Sequence, residues 1–500
     1  MTFNMLLVRK FFLKLKKSPV FIAFFFILLG FIAALGQAPS KWSFAFIGAF
    51  AVFIHTLKEK ATSSTQAFWF GFSFAFGYFF YGLSWIASSF EVVGLSHLKI
   101  LPMVAIPFIL ALFWGAASFA TVKVRGPFFL KVIIFFSLSE YLRGHAFTGF
   151  PWNLPCYIWD SDLLQALQVV GPYGLTLLTF ALACTKKELV VVNYAVVELL
   201  SYFAAGFILT PQPHTQIPIR LIQPCIEQNI KWQPGKIYDI LSTYINLSFS
   251  KKEGFTPKVI FWPEAALPLL LNENPELIEF LTSLIPAETY LITGSLRRDE
   301  KQALFNSLYV IEGQRGVVSF YDKVHLVPFG EYLPFRTYLP SFIQKLTPGS
   351  KDYSSGSASQ TIKVGDLFSF TPLICYEAIF PHVLGPTRPD VLLTLTNDAW
   401  FGKTFGPNQH LEHAKARAIE EGLPMIRVAN NGISAVMDAR GEFVKSLNLD
   451  QCGVLDTYIP VAKKPTLYAT YGDTIFLLLL GILLALSALG FKRFWVRIKV

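Results

Sequence analysis

Nothing restricts the fold of this chain more than the placement of its long uncharged, apolar runs. They occupy residues 19 to 210 and return at 475 to 490, whereas residues 211 to 473 have the mixed polarity of a water-soluble domain. A bilayer-crossing helix needs about 20 apolar residues, with a usable range of about 17 to 25. Runs of that kind lie at 19–36, 42–57, 67–87, 98–120, 127–145, 163–184, 189–209 and 474–491. The sequence therefore predicts a polytopic α-helical membrane domain of eight spans carrying one large soluble insert. The second run is short, and the fifth carries Lys131, Glu140 and Arg143. For these two, a buried or re-entrant segment is the competing reading.

Charge placement tests the count independently. With a cytoplasmic N-terminus, the inner segments hold Arg9, Lys10, Lys14, Lys16 and Lys17, then Lys58 and Lys60, Lys123 and Arg125, Lys186 and Lys187, and finally Lys492, Arg493, Arg497 and Lys499. The short outer loops and their borders hold only Lys41, Lys99 and Arg143. Such asymmetry follows the positive-inside rule. It puts both termini inside and residues 211–473 outside. The expected domains are 1–210 with seven spans, 211–473 as the outer soluble domain, and 474–500 with the eighth span and a basic tail.

The net charge of +10 could suggest nucleic acid, but its distribution argues otherwise. Residues 1–210 carry +8 and the tail +4, leaving −2 on the soluble part. Topology explains the excess, and no nucleic-acid partner is expected. The N-terminal basic residues before an apolar run also resemble a signal peptide, although the next run follows at once and argues against cleavage. Five cysteines, at 156, 184, 225, 375 and 452, form no close-spaced pair, and an odd total leaves at least one thiol outside any intrachain disulfide. A small buried hydrophobe is the favoured reading of Cys184 and Cys225.

Within the first 210 residues the stretch HAFTGFPWNLPCYIWD, at 145–160, stands out. Trp152 there reads either as an interface anchor or as a guide for a lipid substrate. Glu140 and Glu198 are intramembrane acids, but no ladder of opposed charges suits an ion-coupled transporter.

In the soluble part TPQPHTQIP reads as a linker, because closely spaced prolines block regular structure. Nine apolar stretches then read as strands: IRLIQ, KVIFWPE, TYLITGSLR, FNSLYVIE, GVVSFYDK, TPLICYE, VLLTLTND, LPMIRVAN and ISAVMDA. Helices fit near 235–252, 273–285 and 408–421. That order predicts a mixed sheet in an α/β layered domain. Four runs end in groups that core packing does not explain: Glu264, Lys323 followed by Glu331, Cys375, and Asn397 with Asp398. Ligands gather at the ends of strands in α/β sheets, so four such arrivals imply one site.

The roles follow from charge. A thiol is only a few per cent thiolate near neutral pH and needs a base or a cation. Glu264 can take its proton and return it to a leaving group. Lys323 can face a developing oxyanion together with the backbone N–H after Cys375, and Glu331 can hold the ammonium in place. Taken singly, Cys375 could be a core residue and Glu264 or Lys323 a surface or ion-pair residue; their joint arrival at strand ends favours catalysis. His410 and His413, three apart, read as helix surface or structural hydrogen bonding rather than zinc ligands.

The series WPE at 262–264, YDKVHLVPFGEYLP at 321–334, CYE at 375–377 and NDAWFG at 397–402 resembles the nitrilase-like domain of bacterial apolipoprotein N-acyltransferases. GPNQHLEHAKARAIE, RVANNGISAV, GFPWN at 149–153 and IQPCIEQNIKW at 222–232 extend the resemblance over nearly the whole chain. It implies eight membrane spans with an outward-facing α-β-β-α sandwich in a bacterial inner membrane. The family's catalytic triad falls on Glu264, Lys323 and Cys375, its supporting residues on Glu331, Tyr376 and Glu377, and a lipid-facing tryptophan on Trp232. Trp152 and Asn397 join Trp232 as expected substrate-binding residues. The implied reaction passes an sn-1 acyl chain from a phospholipid, phosphatidylethanolamine, through a cysteine thioester to the α-amine of a diacylglyceryl-cysteine on an apolipoprotein. No cofactor, no metal and no second subunit is implied. The expected groove is apolar, lined by the 145–160 loop and by movable segments near Trp232 and Pro334 to Tyr338. A membrane-anchored nitrilase-type amidase, and a transporter with an outer binding domain, are the alternatives.

Overall fold

The computed structural model describes residues 19–184, 214–233, 235–340, 344–347, 349 and 351–498. The chain divides into two compact units, one of Met1–Ala87, Leu98–Gly206 and Tyr471–Val500, the other of Ser88–His97 and Phe207–Thr470. The expected span at 189–209, with Glu198, lies outside the described residues.

In the first unit helices α1 (Pro19–Ala34), α2 (Ser43–Lys60), α3 (Ser64–Gly82), α4 (Ile100–Lys123), α5 (Phe128–His145) and α6 (Leu167–Ala183) coincide with six of the apolar runs, and Thr474–Ile498 coincides with the last. Ser63 caps α3 by accepting from the Gln66 N–H. α1 and α3 meet at Gly30 and Gly77, where a Cβ on either would run into the other helix's backbone, so only glycine permits this approach. Trp114 is fully buried among Phe50, Phe74, Tyr78, Phe136 and Phe180. Its indole donates to Glu140, which pairs in turn with Arg143. Arg143 also donates to the Phe150 and Trp152 carbonyls, and Lys131 to that of Val124. The charges of the fifth run are thus satisfied inside the unit.

The outer faces of these helices are apolar, with Phe24, Phe44, Trp69, Ile109 and Leu478 exposed. By length and hydropathy, among the described residues, only Ser96–Lys123 is long and apolar enough to cross a membrane, or two spans if the bent pair Ser64–Gly82 and Ile86–Val92 counts as one. Val20–Ala34, Leu167–Ala183 and Thr474–Leu489 are shorter apolar helices.

The second unit contains strands β1 (His214–Gln223), β2 (Val259–Phe261), β3 (Leu267–Leu270), β4 (Tyr290–Arg298), β5 (Leu304–Glu312), β6 (Gly316–Asp322), β7 (Ile362–Val364), β8 (Phe368–Ile374), β9 (Val391–Thr396), β10 (Met425–Ala429), β11 (Ser434–Met437), β12 (Phe443–Leu447) and β13 (Gly453–Pro460). They form two mixed sheets, ordered β13-β1-β2-β4-β5-β6 with β3 on β4, and β12-β11-β10-β9-β8-β7. β1, β2 and β4 run parallel, as do β8, β9 and β10.

Period-two alternation builds the layers. Val259 and Phe261 of β2 enter the core between the sheets with Ile292, Phe370, Leu393 and Val428. Ile260 and Trp262 point the other way and pack beneath helices α7 (Ile237–Ser248) and α8 (Pro275–Leu284), through Tyr244 and Leu281. On the second sheet Leu392 and Met425 cover the inner side of α9 (Gly406–Glu421) at Ala414 and Ala418. The unit is an α-β-β-α sandwich.

All nine expected strands form, and β3, β7, β12 and β13 are additional. The expected linker is partly strand, since β1 begins at His214 and pairs with Pro460 despite its prolines. Cys225 is not a simple buried hydrophobe: it is joined to Cys452 by a disulfide with a Cα–Cα distance of 5.4 Å. Cys156, Cys184 and Cys375 form no disulfide.

Candidate active site

Three strand ends deliver the candidate reactive groups, after β2, β6 and β8. β8 ends at Ile374, and Cys375 turns into the left-handed region at φ +53°, a conformation unusual for a residue with a side chain. Glu377 stabilises this elbow. One of its oxygens accepts from the Ile374 N–H at 2.6 Å, while the other accepts from the Tyr321 hydroxyl and the Val324 and His325 N–H groups. The turn at Cys375 is thereby tied to the segment that follows β6 and carries Lys323. Burial raises the Glu377 carboxyl, against the opposing pull of these hydrogen bonds and of Lys323. Tyr376 is buried, with its ring edge-on to Phe380.

Glu264 lies three residues beyond β2. Its approach to β4 requires Gly294, where a Cβ would sit 2.5 Å from the Ala265 nitrogen and 2.8 Å from the Glu264 Cα. Asn306 of β5 bridges the two acids, donating to Glu264 Oε1 at 2.9 Å and Glu331 Oε1 at 3.0 Å. Lys323 Nζ lies 3.0 Å from Glu331 Oε1 and 3.7 Å from Glu264 Oε1. Glu331 is fixed further by the Val327 N–H on its second oxygen. The second oxygen of Glu264, Oε2, is buried and makes no hydrogen bond among the described residues.

Burial alone would lower the Lys323 ammonium, but Glu331 and then Glu264 outweigh it and hold the group above its ordinary range. Burial pushes the Cys375 thiol up and Glu264 adds to the effect, with Lys323 opposing. The resting sulfur therefore keeps its proton, and a base must act as substrate arrives. A protonated thiol, a buried carboxylate oxygen without a partner and a permanent cation are the requirements of acyl transfer through a thioester.

The structure brings Glu264, Lys323, Glu331, Cys375 and Glu377 together. Trp232 is half-buried at the end of the short turn Gln228–Lys231, and its indole N–H makes no hydrogen bond among the described residues. Asn397 is occupied internally, donating to Gln228 at 2.7 Å and accepting from Asn430 at 3.0 Å. Its amide ties down the base of the Trp232 segment, which corrects the expectation of a group presented to substrate. Trp152 belongs to the first unit and is 1% exposed against Trp85 and Phe150. A ring so enclosed offers no face to water or lipid, so neither an interface anchor nor a lipid guide fits it.

Two site residues were not visible in the sequence. Asn306 sits inside an alternating strand, where an amide looks like ordinary patterning. Lys231 is 1% exposed and donates to the Glu264 carbonyl at 3.1 Å, with burial lowering its ammonium to about 8 against the raising effect of Glu264. Its place beside Trp232 was the available signal. His410 is fully buried, not on the helix surface, and hydrogen-bonds Asp398. Among the described residues, no group of three or more His, Cys, Asp or Glu could hold a metal ion.

The carbon-nitrogen hydrolase family matches residues 219–463, and the apolipoprotein N-acyltransferase N-terminal domain matches residues 29–185. An apolipoprotein N-acyltransferase from Rhodopseudomonas palustris is 35% identical over 490 residues, covering 89% of this chain and 91% of its own. One from Rickettsia typhi is 33% identical, covering 92% and 97%. One from Brucella melitensis is 35% identical, covering 82% of each.

Proposed function

The chain belongs to the apolipoprotein N-acyltransferase family, and on that premise we propose that Cys375 carries an acyl group from the sn-1 position of a phospholipid to the α-amine of an apolipoprotein's diacylglyceryl-cysteine. The protein is an acyltransferase with a nitrilase-like domain. In the first half-reaction Glu264 takes the thiol proton as sulfur attacks the ester carbonyl. Lys323 and a backbone N–H after Cys375 stabilise the oxyanion. Collapse breaks the ester C–O bond, Glu264 returns the proton to the leaving alkoxide, and a lysophospholipid departs. In the second half-reaction the amine attacks the thioester and Glu264 takes its proton. Collapse breaks the C–S bond, the amide is formed, and the proton returns to sulfur.

The observation that carries this reading is the buried, unpartnered Oε2 of Glu264 in the same charge cluster as Lys323 and the Cys375 thiol. Intact-mass analysis after incubation with phosphatidylethanolamine tests it. An added acyl mass is expected on the wild-type chain and not on Cys375→Ala, and loss of that mass is expected when a diacylated peptide is added. Ammonia released from simple amides, with no label passing from phospholipid to peptide, would overturn it.

The proposed setting is the bacterial inner membrane, with eight spans, both termini inside, residues 211–473 in the periplasm, and a monomer as the working unit. The basic asymmetry supports this orientation, and the Cys225–Cys452 disulfide suits an oxidising compartment. Withdrawing an acyl chain from a bilayer costs about 0.8 kcal/mol per methylene, which favours a site that works while the chains remain in lipid. Phe335 and Tyr338, 71% and 86% exposed on the segment after Glu331, are the proposed lipid-facing side chains, with Trp232.

A further inference from the structure

The main-chain carbonyl of Cys375 is held by a buried set of charges that the acyl-transfer steps do not use. His410, on α9, faces that carbonyl with Nε2 at 3.1 Å and Asp398 with Nδ1 at 2.8 Å. Asp398 also accepts from Arg427 at 2.6 Å and from the Thr396 hydroxyl at 2.9 Å. His410, Asp398 and Arg427 are each 0% exposed. Burial would raise the Asp398 carboxyl, but Arg427 and His410 outweigh it and hold it below the usual range, so it is the anion.

A peptide carbonyl has no proton to give, and neither has an ionised carboxylate. A ring placed between the two satisfies both only by donating from both nitrogens, which makes it a cation. Arg427 lies 3.2 Å from His410 Nδ1. Nδ1 lies nearer to Asp398 Oδ1, at 2.8 Å, where a ring lone pair would face the carboxylate, so Nδ1 carries its proton toward Asp398 and the two donors converge on that anion. The set is therefore two cations and one anion, attached directly to the nucleophile's backbone. The charged groups acting on the sulfur are Glu264, Lys323 and Asp398, and Asp398 by itself opposes its ionisation.

We propose that His410 is a positioning residue, held as an imidazolium, which fixes the Cys375 carbonyl at its left-handed turn and offsets the Asp398 charge felt by the sulfur. The inference rests on Cys375 being the nucleophile, but its test needs neither lipid nor lipoprotein. In the full-length protein, alkylation of Cys375 by iodoacetamide is followed by mass spectrometry of its peptide. His410→Gln keeps a donor and removes one positive charge; alkylation near pH 8 is expected to slow about tenfold, the equivalent of one pKa unit. Adding Asp398→Asn restores the net charge of the set, and the double variant is expected to recover to within about threefold of wild type. A purely structural His410 would make the double variant slower still. That outcome, or a folded His410→Gln that alkylates like wild type, overturns the proposal. Should His410→Gln fail to fold, nitrogen-15 NMR of histidine-labelled wild-type protein decides. Both ring nitrogens of His410 are expected to carry a proton in the folded protein, as their contacts to Asp398 and the Cys375 carbonyl require, and an unprotonated one overturns the proposal. Because iodoacetamide replaces the acyl donor, a failure here is distinguishable from a failure to transfer acyl groups.

Discussion

Asn306 gives its two amide hydrogens to two carboxylates that would otherwise face each other across Lys323. Removing it leaves two buried acceptors short of a donor, at about 1–3 kcal/mol, and frees Glu264 to turn away from the sulfur. Asn306→Ala is therefore expected to slow thioester formation by about a hundredfold while thermal unfolding shifts by only a few degrees; single-turnover acylation measures the first effect. Lys323→Arg is expected to be nearly as damaging despite keeping the charge. A planar fork does not reproduce the single ammonium held between Glu331 and Glu264, and steady-state kcat reads the loss. The cluster proposed as the triad was legible as a place where groups meet, because Glu264, Lys323 and Cys375 are chemically out of place at the ends of apolar runs. Asn306 and Lys231 were not, since their roles come from partners far away in sequence. Asn397 and Trp152 were misjudged for the opposite reason: polarity and aromaticity suggested ligand contact, and only burial reveals internal partners.

The elements followed from periodicity wherever runs were long enough to show it. β7, with three residues, and the half-exposed β12 carry too short or too polar a pattern, and β1 extends into a proline-rich stretch because β13 supplies its partner. The end of α9 carries an electrostatic cost that no periodicity shows. Burial, and then neighbouring Glu420, push the Glu421 carboxyl up to about 7 from 4.5, against His382, Arg388 and Arg417. The folded chain thus holds this proton more tightly than the unfolded chain does. Stability from this group is fully present below about pH 4.5 and falls as pH rises to about 7, by on the order of 3 kcal/mol. Glu421→Gln should match wild type in thermal unfolding near pH 4.5 and exceed it near pH 8. The segment on either side of Glu331 shows strain of another kind, with Phe329 and Phe335 at φ +61° and +57° and both rings exposed. If these rings meet lipid, Phe335→Ser with Tyr338→Ser should raise KM for phospholipid vesicles several-fold with kcat little changed, the signature of lost uniform binding.

At the scale of the whole molecule, hydropathy and charge make different statements. Among the described residues helices occupy seven of the eight apolar runs, yet few pass a strict test of length and hydropathy, because the apolar parts of α1, α6 and the last helix are short and α2, α3 and α5 are interrupted by polar or small residues. Gly30, Gly77, Glu140 and Arg143 lower the apolar score of their helices while satisfying contacts inside the unit. The proposed orientation rests instead on the basic residues, whose number at each connection is independent of how well each run scores. Two exposed positions separate the possible topologies, Lys301 in the catalytic unit and Lys58 at the end of α2. In a Cys375→Ser background, Lys301→Cys should react with a membrane-impermeant maleimide in intact cells, whereas Lys58→Cys should react only after the cells are opened. Labelling of Lys58→Cys in intact cells, with Lys301→Cys protected, would invert the molecule. The acyl donor would then be the cytoplasmic leaflet and the Cys225–Cys452 bridge would face a reducing compartment, two consequences that the catalytic chemistry cannot repair.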